Sequence, residues 1–364
     1  MKICLIGYGI PCLLLANILG KKNISISIFK ENNHKNKLNT RTIGITKENI
    51  EFLTNENFFL ENIVWPIKNI KIFNDLKKSG EILNFGNAND KLFFIIKNFQ
   101  LVKLLEKNLK KNKLIKIIKN NKKKFYSSVL NNKNSFDIII NFNENNKISK
   151  ELFFKRQYKD YDSSAYTTLI KHRKCYNQMA HQVFTKHGPI AFLPCSNNET
   201  SVVFSIYKKF KNISESEFIK LVRAYNKKYL IKSFSKIEKF NLKGSLLKNY
   251  YYKNILSFGD NIHKIHPLAG QGLNMTIRDM KILSYLIDEK IDIGLPLDHS
   301  ILKEFENKTK HLNYIFASSI DFIFDFFKFD NKFNNNYSNK LFYFLEKNSL
   351  FKKYSTKFSD KGFF

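Results

Sequence analysis

Two glycine-bearing turns carry the residue types that bind phosphate and polyol groups. Gly7-Tyr8-Gly9-Ile10-Pro11-Cys12 lies between two apolar runs. A first glycine permits a tight turn, and a second lets a pyrophosphate approach the backbone at the positive end of a helix. Cys12 stands where a third glycine usually allows close helix–strand packing. Pro11 suits a first helical turn, where the amide hydrogen has no partner. The acidic residue that would hold a ribose belongs near the end of the second strand; Lys30 takes that place, with Glu31 its nearest acidic neighbour. Taken alone, this turn also reads as a plain loop before a core helix. Residues 258–279 are more informative. Asp260 ends an apolar run and offers a charged acceptor to a polyol hydroxyl. After Pro267, the run Gly270-Gln271-Gly272-Leu273-Asn274 opens a helix whose amides favour negative charge. His263 and His266 flank the loop between them without the cysteines or carboxylates of a metal site, so loop packing is their expected role.

Each group needs an element to hold it. Residues 2–6 (KICLI) read as a short buried strand and 11–20 as an apolar helix. Ile24, Ile26 and Ile28 alternate in a strand over 24–29, completing a β-α-β unit. The spacing predicts a helix over 46–60 and short strands within 66–96. A helix over 99–111 carries Leu101, Leu105 and Leu109 on one stripe, and a buried strand follows at 136–140. From 160 to 207 the sequence is strand-rich (AYTTLI, QVFT, IAFLP, TSVVFSIY). A helix over 214–230, strands in 250–258 and helices over 273–289 and 300–330 complete the chain. Strand–helix alternation at both ends of a β-rich middle predicts two interleaved domains.

The chain has 62 basic and 31 acidic residues, a formal charge of +31. Only Arg41, Arg156, Arg173, Arg223 and Arg278 are arginines, and the lysine excess accompanies Asn, Ile and Phe. That is a compositional bias with a solvated surface rather than a nucleic-acid site, which would need arginine forks. The lysine-rich stretch 103–124 reads the same way, as a solvated helix and turn. No nucleic-acid partner is expected. Cys4, Cys12, Cys175 and Cys195 lack metal spacing and suit a reducing compartment. No metal is expected, and the first twenty residues read better as strand–turn–helix than as a signal peptide. A cytoplasmic protein is expected.

The segment 258–279 resembles the second FAD motif of the class A FAD-dependent monooxygenases, the para-hydroxybenzoate hydroxylase-like superfamily. Gly259, Asp260, His263, Pro267, Gly270, Gly272, Asn274 and Asp279 match at the family's spacing, while Asn261, Ile262 and Thr276 depart from it. Within that superfamily, Arg41-Thr-Ile-Gly-Ile-Thr, Tyr161-Asp-Ser-Ser-Ala-Tyr and Gln182–Pro194 are similar to segments of ubiquinone-biosynthesis hydroxylases of the UbiH/UbiF type. The family's Asp-Gly motif, implicated in FAD and NAD(P)H binding, is replaced by Asn143-Glu144, so the electron donor stays open.

The resemblance implies an α/β fold with a Rossmann-like FAD-binding domain (1–70, 97–150 and 250–300). A β-sheet substrate domain (71–96 and 151–249) is interleaved with it, and a helical C-terminal region covers 301–364. It implies FAD held by Gly7, Gly9, Glu31, Arg41, Asn98, Asp260, Pro267, Gly270, Gln271, Gly272, Leu273 and Asn274. It also implies a ring cavity bordered by His187, Gly188, Pro189, Phe192 and Pro194. The activity implied is hydroxylation of a polyprenylated phenol with O₂, through a C4a-hydroperoxyflavin, with the flavin rather than a side chain carrying the chemistry. Two alternatives stay open: a flavin-dependent lipid reductase, and a non-catalytic subunit of a ubiquinone-biosynthesis complex. Aromatic runs at 314–329 and 342–351, with lysine flanks, suggest peripheral contact with the inner face of the cell membrane.

Overall fold

The two apolar runs at the N-terminus pair with each other in parallel. In the computed structural model, which describes all residues except 31–40, 76–80, 87–90, 119–121, 132–133, 211–212, 268–269 and 334–364, the chain opens with β1 (Lys2–Ile6), α1 (Ile10–Leu19) and β2 (Ser25–Phe29). β3 (Thr42–Thr46) runs straight into α2 (Lys47–Asn55). β4 (Val64–Ile67), β5 (Asn69–Asn74), β6 (Glu81–Phe85) and β7 (Phe93–Lys97) follow. Next come α3 (Asn98–Leu109), β8 (Ile115–Ile118), α4 (Lys122–Leu130), β9 (Ile138–Asn141) and α5 (Lys147–Leu152). The middle comprises β10 (Arg156–His172), β11 (Met179–Thr185), β12 (Gly188–Pro194), β13 (Glu199–Tyr207), α6 (Glu215–Tyr225), β14 (Ile231–Phe234) and β15 (Glu238–Leu247). β16 (Tyr251–Tyr252), β17 (Ile255–Ser257), β18 (His263–Lys264), α7 (Gln271–Asp292) and α8 (His299–Phe333) end it.

The first sheet has the order β16-β17-β9-β1-β2-β8 and is parallel apart from the β16–β17 hairpin. Ile3 to Ile6 and Ile138 to Ile140 are buried in unbroken runs, as a parallel sheet covered on both faces requires. α1, α3 and α7 supply the covering residues of that core. The second sheet has the order β18-β15-β10-β13-β12-β11-β5-β6, with β14 added on β10. Strand alternation gives it two unlike faces. On the rear, Ile190, Phe192, Val202, Phe204 and Ile206 pack against Phe218 and Val222 of α6. On the front, Ala165, Phe184 and Leu242 pack against Phe316, Ile320 and Phe324 of α8 and Met275 of α7.

A small third sheet, β3-β7-β4, joins the two. β7 was expected with the substrate strands; it pairs instead with β3 and β4, because Phe93, Ile95 and Ile67 bury against Ala180 at one end of the front face. β18 likewise leaves the 250–300 segment to pair with β15. The remaining corrections are local. The helix expected over 46–60 ends at Asn55, and the lysine-rich 103–124 stretch holds β8, an edge strand whose lysine points away from the core.

Candidate functional site

β1 delivers the first glycine turn to the start of α1. Gly7 has φ +141°, a region that disfavours any side chain, and a Cβ there would come within 3.1 Å of Phe142 Cβ. Gly9 caps α1 without a side-chain hydrogen bond, so the first amides of that helix keep no capping partner from the cap residue. Cys12 fits where the third glycine was expected, its Sγ donating to the Gly7 carbonyl at 3.3 Å. Burial drives its thiol pKa upward, so this cysteine stays a neutral core group. Lys30 does not replace a ribose acceptor: its Nζ lies 3.8 Å over the Tyr8 ring. The Tyr8 hydroxyl bonds Glu106, and burial followed by that acidic partner pushes its pKa up to about 12. Glu31 lies outside the described residues.

The second turn converges on the first. A Cβ on Gly259 (φ +65°) would sit 3.7 Å from Pro11 of α1 and 3.5 Å from Thr276 of α7, in ordinary contact. The two helix starts therefore flank the loop that carries Asp260. Asp260 is solvent-accessible, yet the surrounding walls raise its carboxyl pKa, with His263 and Lys264 opposing the shift. Gly270 adopts the left-handed region (φ +65°) as the α7 cap, and a Cβ on Gly272 would meet nothing within 4 Å. Asn274 fastens this helix to β3. Its Nδ2 donates to the Gly44 carbonyl at 3.0 Å, and its Oδ1 accepts from the Thr46 amide at 3.1 Å and from Asn49 at 2.9 Å. Asn98, first residue of α3, keeps its buried Oδ1 without a protein partner. Two uncapped helix starts, an accessible carboxylate and an orphaned amide oxygen fit a cofactor with a pyrophosphate and a polyol.

His263 and Asp279, the histidine and final aspartate of the second motif, are partners of each other at 2.8 Å, both fully buried. Burial pushes the Asp279 carboxyl up, but the His263 bond and the Arg278 charge outweigh it and the net shift is down. The spacing between them is thus that of a clamp between loop and helix. Asn141 and Asn261 form a second buried assembly: Asn141 donates to Ser149 at 2.8 Å, and Asn261 donates to the Asn141 carbonyl at 3.1 Å. Arg156 donates to the Asn261 carbonyl at 2.7 Å and also bonds its side-chain oxygen. Glu144 is held by Lys264 at 2.7 Å. The turn that replaces the Asp-Gly motif is therefore rebuilt as a tied polar loop.

The cavity candidates divide by strand register. Phe192, and by register Pro194, belong to the rear face against α6 and do not approach the cofactor loops. His187 also turns away: its Nδ1 lies 2.9 Å from the Tyr225 hydroxyl and its ring packs on Phe210. Gly188 is required by close strand approach, since a Cβ would fall 1.9 Å from the Ser205 carbonyl oxygen. Pro189, opposite Phe184, takes the front register. The sequence reading took GPIAFLP as one unit, whereas period two splits it between faces. What it missed is the middle row of the front face, which neither α8 nor the third sheet covers. Gln182, Ala191, Val203, Thr167 and Glu238 lie side by side there, all but Thr167 solvent-accessible. The alternation of Ser201, Val203 and Ser205 with Val202, Phe204 and Ile206 was the available signal. Arg41 reaches this row from the residue before β3: its Nε donates to Glu238 at 3.2 Å, and its guanidinium lies 4.7 Å over Phe240.

Residues 138–291, from β9 to the end of α7, match the family described as the FAD binding domain. That segment is an FAD-binding domain. It is 28% identical over 183 residues to the ubiquinone biosynthesis monooxygenase COQ6 of Dictyostelium discoideum, covering 40% of this chain and 37% of that protein. To the 3-demethoxyubiquinol 3-hydroxylase of Escherichia coli it is 25% identical over 149 residues, covering 39% of this chain and 38% of that one. The chain thus matches less than half the length of these relatives. Its fold is that of p-nitrophenol 4-monooxygenase PnpA from Pseudomonas putida (TM-score 0.75, 11% identity, 97% of this chain and 96% of that one). The same fold occurs in pqsL from Pseudomonas aeruginosa (TM-score 0.72, 13% identity, 94% and 99%).

Proposed function

We propose that this chain is an FAD-dependent monooxygenase that hydroxylates the ring of an apolar, polyprenylated phenol with O₂, in ubiquinone biosynthesis. One observation carries the reading. The start of α7, tied by Asn274 to β3, brings Gly270 beside Gly44, and Arg41 at the head of the same strand meets the open row of the substrate sheet. A ring on that row lies next to the cofactor loops. FAD supplies the oxygen chemistry when bound and reduced. The chain's own residues do the rest. Gly7, Gly9 and the α1 amides take the pyrophosphate, Asp260 the polyol, and Gly270, Gln271, Gly272 and Leu273 present helix amides to the flavin ring. Asn98, Arg41 and Pro267 complete the cradle. The described residues of 1–70, 97–150 and 250–300, apart from β18, are assigned to a cofactor lobe, those of 71–92 and 151–249, with β18, to a substrate lobe, and α8 to a helical region. No helix among the described residues is long and apolar enough to cross a membrane. We propose that a lipid substrate is reached at the surface of the inner leaflet or through subunits of a biosynthetic complex.

The test is incubation of reduced holoprotein with a prenylated phenol under ¹⁸O₂. A product heavier by one labelled oxygen supports the reading, and unlabelled or absent product refutes it. A second reading, a flavin-binding scaffold subunit, is favoured by the tied loop in which Glu144 and Asn143 stand for the Asp-Gly motif. It predicts bound flavin without labelled product.

A further inference from the structure

The loop that runs from β18 to α7 is fastened at a point that its own motif does not supply. β18 pairs with β15 as far as Lys264, and the Pro267 carbonyl accepts from the Gly270 amide at 3.1 Å at the α7 cap. Between these points the His266 amide donates to the Tyr161 hydroxyl oxygen at 3.0 Å. Tyr161 belongs to β10 of the substrate sheet, and its hydroxyl in turn donates to Asp321 of α8 at 2.7 Å. A tyrosine hydroxyl has one hydrogen to give and lone pairs with which to accept. Burial, then the Asp321 bond, drive the Tyr161 pKa upward, so the hydroxyl keeps its hydrogen. The direction of the chain of bonds is therefore fixed: Asp321 orients the hydroxyl, and the hydroxyl holds the loop.

Packing accounts for the ring but not for the oxygen. The Tyr161 ring meets His266 at 4.9 Å and Phe324 at 5.4 Å, contacts that a phenylalanine would keep. Both nitrogens of the His266 ring lack a protein partner, so that side chain gives the loop packing and no polar anchor. The oxygen has a seat of its own. A Cβ on Gly244, on the neighbouring strand β15, would fall 2.8 Å from it, so the bare glycine leaves the room it occupies. Lys159 steadies the acceptor side, with its Nζ 3.4 Å from Asp321 and 2.7 Å from Asp325. We infer that Tyr161 is a positioning residue for the cofactor. Through the His266 amide it sets the loop that presents Pro267 and the α7 amides to FAD, and Asp321 makes that setting depend on α8. This rests on the reading that residues 270–274 face the flavin.

The test follows FAD affinity, the visible circular dichroism of the bound flavin and the melting temperature of each variant. Tyr161→Phe leaves the buried His266 amide without its acceptor and should weaken FAD at least about fivefold, with altered dichroism. Asp321→Leu removes the group that orients the hydroxyl and should weaken FAD too, and the double variant should be no weaker than Tyr161→Phe alone. Asp321→Asn keeps an oxygen for the hydroxyl and should stay within about twofold of wild type. A Tyr161→Phe protein that melts lower yet keeps wild-type affinity and dichroism overturns the proposal and leaves the cofactor reading intact. Additive losses in the double variant overturn it as well. Should Tyr161→Phe not fold, the two Asp321 variants decide: equal FAD affinity for Leu and Asn at that position overturns it. A wild-type chain that binds no FAD overturns both the proposal and the cofactor reading.

Discussion

Asp260 and His263 stand three residues apart in one loop and have opposite duties. Asp260 is exposed at the head of the loop, whereas His263 is fully buried on Asp279. Replacing Asp260 with Ala removes a charge-assisted contact worth about 1.5–3 kcal/mol, so FAD affinity should fall about tenfold to a hundredfold with little change in melting temperature. Replacing His263 with Ala takes one partner from a buried pair and should cost about 3–5 kcal/mol of stability. Titration of FAD with a melting curve for each variant separates the two, and similar flavin loss at unchanged stability in both would show the assignment to be wrong. A second residue-scale consequence concerns acid. Burial lowers the pKa of His266 to about 3 and of His181 to about 4. A neutral histidine in the fold that titrates normally when unfolded contributes stability that is complete above about pH 6.5. That stability is lost as the pH falls from there toward the folded value, at about 1.4 kcal/mol per unit for each ring. The midpoint in urea should therefore drop between pH 6.5 and 4. A His266→Phe variant, whose ring meets Tyr161 and Phe324, should show a shallower drop. An unchanged slope would remove His266 from the account.

At the scale of elements, the hinge of the site is the fastening of α7 to β3 by Asn274. Asn274→Ala removes four side-chain hydrogen bonds and leaves the Gly44 carbonyl and Thr46 amide without that partner. It should cost about 2–4 kcal/mol and weaken flavin binding as well, measured by urea unfolding and FAD titration. A variant as stable as wild type would mean that the two elements are held by packing alone. The cofactor side of the fold was legible because its elements are set locally. KICLI and ISISIF are buried parallel strands, and each glycine turn lies directly before its helix. The substrate side was less so. β10 to β13 are apolar enough on both faces that GPIAFLP gave no parity, and Phe192 was placed in a cavity from which α6 holds it away. Glu238 and Arg41 are separated by nearly two hundred residues, and no local pattern joins them. β8 escaped notice because a four-residue edge strand amid lysines gives no period. The His263–Asp279 clamp lies within one matched motif, yet only the turn of α7 reveals that its two ends meet.

For the whole molecule, the charge of +31 and the exposed face of α8 bear on where the protein works. Tyr314, Phe322 and Phe329 are more than half exposed along that helix, and Phe322 and Phe326 stack at 6.2 Å. The proposed polyprenylated substrate would reside in the bilayer, and each lysine near an anionic surface contributes about 1 kcal/mol of attraction. Sedimentation with anionic vesicles should therefore succeed at low salt, fail at high salt, and weaken in Phe322→Ser. Indifference to anionic vesicles at low salt would leave delivery by protein partners as the route. All of this presupposes that two helix starts and Asp260 surround a flavin. The direct measurement is the visible spectrum of the purified chain after incubation with FAD and gel filtration, followed by acid precipitation. The account predicts one FAD per chain, released into the supernatant because no side chain binds it covalently; a colourless protein that takes up no FAD would contradict it.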